Sequence, residues 1–328
     1  MIGRIGAATD TGRKRRRNED SYFVEPPLFA IADGMGGAQA GEVASRLAAG
    51  ALGEDAPGDL PSEERVVALI QEANRRIYDR SSSDPTTSGM GTTITVALVD
   101  DGEVTVGHVG DSRAYLIRDG RIEQVTEDHS LVAELVRSGK LSPADAETHP
   151  QRSVITRALG TDPDVDVDTF VVDARVGDVF VLCSDGLTDM IDEETMLAVV
   201  ERHRDDLDRA AKALVAAANK GGGEDNITVV AFEIAEVAPD DATAETVRMP
   251  AARNEPEPSD EDTLDETDRV PTVDTMVVPP EQAERIFERQ RAEAVEVEED
   301  RERRRWPLLL LLLVVAIVAA YVVWRLVT

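Results

Sequence analysis

The sequence predicts an α+β layered domain over residues 1–237, followed by an acidic tail that ends in an apolar segment. Three observations carry this. Short runs rich in β-branched residues, punctuated by Gly and Asp, recur along the first part of the chain. Patterns of helical period fall between groups of those runs rather than one after each, which disfavours a doubly wound parallel sheet. The composition, 42% hydrophobic and 30% charged, suits one sizeable core with an appendage that does not fold.

Residues 28–32 (LFAIA), 93–99 (TITVALV), 103–109 (EVTVGHV), 113–118 (RAYLIR), 178–183 (DVFVLC) and 227–234 (ITVVAFEI) read as strands. DDG at 100–102 and DG at 119–120 read as hairpin turns, where residues that tolerate positive φ are needed. Residues 40–52, 62–80, 129–138, 193–201 and 206–219 read as helices, because their apolar positions return every three or four residues. Residues 238–300 hold 20 acids against 6 arginines, with prolines scattered through. Such a stretch cannot bury enough apolar surface to offset the entropy of ordering, so 238–305 is read as a disordered linker that ends in the basic segment RERRR. Thr246, Thr267, Thr272 and Thr275 lie in it among acids, either as kinase sites or as ordinary linker composition.

Leu308 to Val323 carries no charge, and with Pro307 and Trp324 it makes 18 apolar residues, near the lower limit for a bilayer span. Trp306, Tyr321 and Trp324 stand where interfacial aromatics belong, and RERRR puts positive charge just before the span. Residues 306–325 are therefore predicted to be one transmembrane helix, with residues 1–305 in the cytoplasm at the cell membrane. The net charge of −30 argues against nucleic acid as a partner, since phosphates are bound by Lys and Arg. The single cysteine, Cys183, excludes an intramolecular disulfide. It sits in the apolar run VFVLC and has Asp189, not Arg, six positions on, so it reads as a packing residue rather than a nucleophile.

Five aspartates stand at the ends of apolar runs beside Gly, Ser or Asn: Asp20 in RNEDS, Asp33 in FAIADGMGG, Asp111 in VGDSR, Asp185 in LCSDGL and Asp225 in GEDNIT. One Asp-Gly pair is ordinary turn chemistry. Five strand-end carboxylates converge if their strands are neighbours. Hard oxygen donors without clustered His or Cys select Mg²⁺ or Mn²⁺. Gly34, with no side chain, lets its own carbonyl approach a cation. DGMGG before the helix at Ala40 also reads as a phosphate cradle, but it lacks the Lys and Ser/Thr of a Walker A loop. The basic run from Arg13 to Arg17 is short for a nucleic-acid arm. A guanidinium beside a metal cluster has a sharper use, gripping a phosphate oxygen.

RRRNED at 15–20, ADGMGGAQAGEVAS at 32–45, GTT at 91–93, GHVGDSRAYL at 107–116, TEDHS at 126–130, HPQRSVITRALG at 149–160, CSDGLTDM at 183–190 and GGEDNITVV at 222–230 occur in one order. In that order they resemble the PPM family of metal-dependent Ser/Thr protein phosphatases, also called protein phosphatase 2C, in its bacterial form. The resemblance spans about residues 4–235. It implies a four-layer α-β-β-α sandwich of two antiparallel sheets flanked by helices. It implies hydrolysis of phosphoserine and phosphothreonine in cytoplasmic proteins, by a water bridging two Mn²⁺ or Mg²⁺ ions with a possible third. Asp33 would bridge the two metals and the Gly34 carbonyl would complete the first. Asp185 and Asp225 would ligate the second, and Asp111 with Asp185 would form a weaker third site. Arg15 would grip the phosphate, and Asp20 would order the metal-bound waters. Residues 137–152 would be a flap beside the active site. The partners expected are phosphorylated proteins and the Ser/Thr kinases that the enzyme opposes, with the head acting as a monomer. Where many eukaryotic members have His after the Asp-Gly pair this chain has Met35, and His108, His129 and His149 are given no role.

Overall fold

Hydrophobic residues alternate along the central strands, and both alternating sets are buried. The structure, a computed structural model, describes residues 2–36, 40–53, 60–235 and 276–277. In the strand Leu28–Met35, Phe29 and Ile31 face one cluster while Leu28, Ala30 and Ala32 face another. In Val179–Cys183, Phe180 and Leu182 point one way, and Val179, Val181 and Cys183 the other. A strand buried on both faces must lie inside a stack of layers.

One antiparallel sheet holds β1 (Ile2–Asp10), β7 (Arg113–Arg118), β8 (Arg121–Gln124), β11 (Val179–Cys183) and β12 (Ile227–Ile234), in the order β1-β12-β11-β7-β8. The other holds β2 (Asp20–Glu25), β3 (Leu28–Met35), β5 (Ile94–Asp100), β6 (Glu103–Val109) and β10 (Asp168–Asp173), in the order β10-β6-β5-β3-β2, with β4 (Gly91–Thr92) added to β3. Phe29 from one sheet stacks on Phe232 from the other, with ring centroids 4.1 Å apart, and Phe180 stacks on Phe232 at 5.3 Å. α1 (Ala40–Leu52) and α2 (Ser62–Ser83) cover the outer face of the second sheet. α6 (Glu193–Arg202) and α7 (Leu207–Gly221) cover the first. The result is the expected α-β-β-α sandwich.

All six strands and five helices read from the sequence are present, with ends shifted by three residues or fewer. The hairpin turns hold too: Asp101 and Gly102 have φ of 41° and 89°, and Asp119 and Gly120 have 51° and 70°. The strands that the sequence did not announce include β1, β2, β8 and β10, which are the four sheet edges. An edge strand buries less of itself, so its apolar signal is weak. β10, for example, has no fully buried residue.

Between β8 and the short β9 (Val154–Ile155), the chain forms α3 (Leu131–Arg137) and α4 (Pro143–Glu147), so the expected flap carries a helix of its own. The chain divides into a unit Met1–Val278 and a unit Pro279–Thr328; β13 (Met276–Val277) pairs in parallel with β9, and the linker expected from 238 lies, those two residues apart, outside the described residues. The second unit lies outside the described residues, and with it the predicted transmembrane helix at 306–325. Among the described residues, no helix is long and apolar enough to cross a membrane.

Candidate metal centre and active site

Strand ends bring the five aspartates to one edge of the sandwich. Asp20 opens β2 and lies directly across the ladder from Asp33 near the end of β3. Asp111 follows β6, Asp185 follows β11 at the start of α5 (Asp185–Thr188), and Asp225 precedes β12. Gly34 sits against the first turn of α1 and the β1–β2 loop. A Cβ there would lie 2.2 Å from the Gly41 carbonyl oxygen and 2.5 Å from that of Glu19, so no side chain fits.

Neighbouring polar groups aim these carboxylates. Asp20 Oδ2 accepts hydrogen bonds from Thr228 Oγ1 at 2.6 Å and from Ser184 Oγ at 2.9 Å. Thr93 Oγ1 accepts from the Asp33 amide at 3.0 Å, and Thr92 Oγ1 donates to the Asp33 carbonyl at 2.7 Å. Arg15 donates to Asp225 Oδ2 at 2.8 Å. The loop that carries Arg15 hangs on Asn226. Its Nδ2 donates to the carbonyls of Thr11 and Arg17, and its Oδ1 accepts from the Glu19 amide.

The carboxylates repel one another. Burial, and then the charges of Asp20, Asp185, Asp225 and Asp111, hold the Asp33 carboxyl well above the usual range. Asp185 is raised in the same way, by burial and then by Asp111 and Asp225. Burial pushes Asp20 up to about 6 and Asp111 up to about 7. Burial works against the charge on Arg15, but Asp225, Glu19 and Asp33 outweigh it and keep its pKa high. Asp20 Oδ1 and Asp185 Oδ1 are buried without a hydrogen-bond partner.

Orphaned acceptors and mutual repulsion are what a cation would relieve, so this donor set fits Mg²⁺ or Mn²⁺. Among the described residues, no group of three His, Cys, Asp or Glu side chains closes as a preformed cage.

The protein phosphatase 2C family model matches residues 12–219. The chain belongs to this family. It is 43% identical over 236 residues to the serine/threonine phosphatase stp of Listeria monocytogenes, a match covering 69% of this chain and 93% of that protein. It is 40% identical over 240 residues to the serine/threonine protein phosphatase PstP of Mycobacterium tuberculosis, covering 72% of this chain and 46% of that one. The crystal structure of the Mycobacterium tuberculosis phosphatase superposes with a TM-score of 0.68 at 39% identity, over 72% of this chain and all of the other. A structure of the PstP catalytic domain holds two manganese ions and matches at 37% identity with a TM-score of 0.65, over 72% of this chain and 99% of that one.

Beside the phosphatase 2C centre lies a cavity of about 750 Å³, bounded by Asp111 and Asp185 on the inside and by Ala146, Arg152 and Ser153 of the flap region. Arg152 reaches across to Asp189 at 3.1 Å, which ties the flap to the segment after α5. Asp189 is the last acid of the sequence motif CSDGLTDM, yet its place in the cavity wall was not legible there. Cys183 is buried, and burial pushes its thiol up to about 12, in keeping with a packing role.

Met35 is buried against Ile155 and Ala158. His108 is fully buried and pushed down to about 3 by burial and by His129. Both of its ring nitrogens are engaged, with Thr95 Oγ1 and the Gly110 carbonyl. His129 is also buried and bonded at both nitrogens. Neither ring is placed to hand a proton to a leaving group. The supporting residues Asn226, Thr92, Thr93, Ser184 and Thr228 were not singled out from the sequence. Their signal was a polar side chain inside or beside an otherwise apolar strand.

Proposed function

We propose that this chain is a Mn²⁺- or Mg²⁺-dependent protein-serine/threonine phosphatase, tethered to the cell membrane, that removes phosphate from cytoplasmic proteins and opposes Ser/Thr kinases there. The observation that carries the activity is the convergence of five repelling, partly orphaned carboxylates at one sandwich edge, in a chain of the protein phosphatase 2C family.

Asp33, the Gly34 carbonyl, Asp185 and Asp225 would hold two ions, and Asp111 with Asp185 a third. Bound there, divalent cations supply an activated water for in-line attack and offset the charge of the phosphate ester. Arg15 is ion-paired with Asp225 at 2.8 Å, and from there its guanidinium would bind the phosphate oxygens through charge-assisted hydrogen bonds. Asp20 is fixed by two hydroxyls on Oδ2 and presents Oδ1 to order water. The cavity beside the flap takes the polypeptide that flanks the phosphoresidue.

Supporting the tether is the 18-residue apolar run from Pro307 to Trp324, with RERRR before it. The deciding assay is phosphothreonine-peptide hydrolysis in EDTA, Mg²⁺ and Mn²⁺, beside Asp185→Ala. Activity restored by Mn²⁺ and cut by about 10²–10³ in the variant is expected, the usual cost of losing one transition-state contact. Metal-independent hydrolysis would overturn the mechanism. Full chain that stays with membranes after alkaline extraction, while a chain ending at 305 does not, supports the tether, and equal extraction of both would remove it.

A further inference from the structure

We propose that His129 is a positioning residue for Asp111, clamping the Gly110–Asp111 turn and anchoring that turn and the end of the flap to the same ring and backbone. The inference rests on the assignment of Asp111 as a metal ligand.

Gly110 precedes Asp111 with φ of 117°, a conformation that few other residues adopt. A Cβ there would lie 2.5 Å from the side chain of Thr93. Both backbone polar groups of this glycine go to His129. The Gly110 amide donates to His129 Nδ1 at 3.0 Å, and the His129 amide donates to the Gly110 carbonyl at 2.7 Å. Because Nδ1 accepts from a backbone amide, the neutral ring carries its hydrogen on Nε2, which donates to Asp168 Oδ2 at 3.1 Å, while Arg157 Nη1 lies 3.0 Å from the same nitrogen. Burial lowers the pKa of His129, which favours this neutral form. The Gly110 amide before Asp111 is thus held by the His129 imidazole, its carbonyl is shared by the His129 amide and the His108 ring, and the His129 imidazole is in turn held by β10.

The same residue receives the chain as it leaves the flap. The Thr156 amide donates to the His129 carbonyl at 2.8 Å, and Ser130 bridges to Ile155. Arg157 shares Asp168 with the imidazole, donating to Asp168 Oδ1 at 2.5 Å. Residues 155–157 are separated by two residues from the flap at 137–152. A displacement there moves His129, and a displaced His129 frees the Gly110 amide, leaving the carbonyl to His108. The Asp111 carboxylate then loses its fixed bearing toward the Asp185 side of the cavity.

The test is Mn²⁺ binding to the full chain, followed by calorimetry and by the paramagnetic resonance of free Mn²⁺. Asp111→Asn is the control for the underlying assignment, and it should remove the weakest class of bound ion. His129→Ala should weaken that same class by about tenfold, the lower end of what outlying partners of metal ligands cost, and leave the tighter ions within twofold. His129→Asn, whose Oδ1 stands near the place of Nδ1 and accepts from the Gly110 amide, should recover most of the loss. Asp168→Ala leaves the Gly110 bonds in place but frees the ring, and should weaken the class by about threefold, a smaller share of the same effect. It also serves where His129→Ala does not fold. Unchanged weak binding in His129→Ala or, where that variant does not fold, in Asp168→Ala overturns the proposal. So does an equal loss across all classes, or no recovery in His129→Asn. Unchanged binding in Asp111→Asn removes the ligand assignment instead, independently of what His129 does.

Discussion

Arg15 faces two demands: it is ion-paired to one of the carboxylates, and it is the group assigned to the phosphate. Its ion pair with Asp225 is short and half-buried, which fixes the guanidinium close to the reacting centre. A hydrogen bond to a charged group contributes about 1.5–3 kcal/mol, so Arg15→Ala should lower kcat/KM for a phosphopeptide by about 10- to 150-fold. Mn²⁺ affinity should stay within a few-fold, because the carboxylates remain. Arg15→Lys should restore only part, since a point charge cannot grip two oxygens at once. Steady-state kinetics beside a Mn²⁺ isotherm check this, and an Arg15→Ala enzyme with wild-type kcat/KM would refute the role. That Arg15 mattered was legible from its place in RRRNED. That Asp225 is its partner was not, because the two lie at opposite ends of the domain sequence.

At the scale of elements, the site is a set of strand ends joined by polar side chains. Asn226 begins β12's approach to the site and binds three backbone groups of the β1–β2 loop. Asn226→Ala strands one amide and two carbonyls, and each unsatisfied buried group costs about 1–3 kcal/mol. With water recovering part of this, a loss of about 2–3 kcal/mol in denaturant unfolding is expected, with activity falling further than stability alone explains. A loss under 0.5 kcal/mol would mean that the loop holds itself. Strand and helix existence was readable at this scale wherever an element is buried on one or two faces. The edge strands β1, β2, β8 and β10 were not readable, because hardly any of their residues is fully buried on either face and the apolar signal is weak. The flap helix α4 escaped for a related reason: five residues of PADAE make too short a pattern to show a period.

For the whole molecule, the decisive quantity is the repulsion stored at the sandwich edge. Free carboxyls ionise near 3.9 in an unfolded chain. In the folded protein Asp20 holds its proton to about 6 and Asp111 to about 7, with Asp33 and Asp185 also raised. These four carboxyls bind more protons in the folded state between these limits and outnumber His108 and His129, whose lowered pKa values act in the opposite sense, so stability falls as pH rises from about 4 through about 7. Divalent cations reverse the balance, because they favour the ionised form. In EDTA the melting temperature should decline across that window, and the rise produced by Mn²⁺ should be larger at pH 7.5 than at pH 5. Calorimetry at pH 6 in two buffers of different ionisation enthalpy should register protons released on binding. A Mn²⁺ stabilisation independent of pH would contradict the raised pKa values. In the same frame, Phe232 joins the two sheets through stacking with Phe29 and Phe180, so Phe232→Ala should cost about 3–5 kcal/mol by chemical denaturation.

Sequence alone determined the class of fold, the central strands and their hairpin turns, and the identity of the acidic positions. Each of these is written locally, in the alternation of apolar residues, in Asp-Gly pairs at positive φ, and in acids that close an apolar run. Tertiary structure alone decided which groups meet. Ladder register sets Asp20 opposite Asp33. The crossing of β12 behind the β1–β2 loop gives Arg15 its partner and Asn226 its task. His129, one polar residue in TEDHS, becomes a clamp only because Gly110, Thr156 and Asp168 arrive at the same point from three other segments. Contacts between residues far apart in the chain depend on the order and register of strands, and no local pattern in the sequence carries that information.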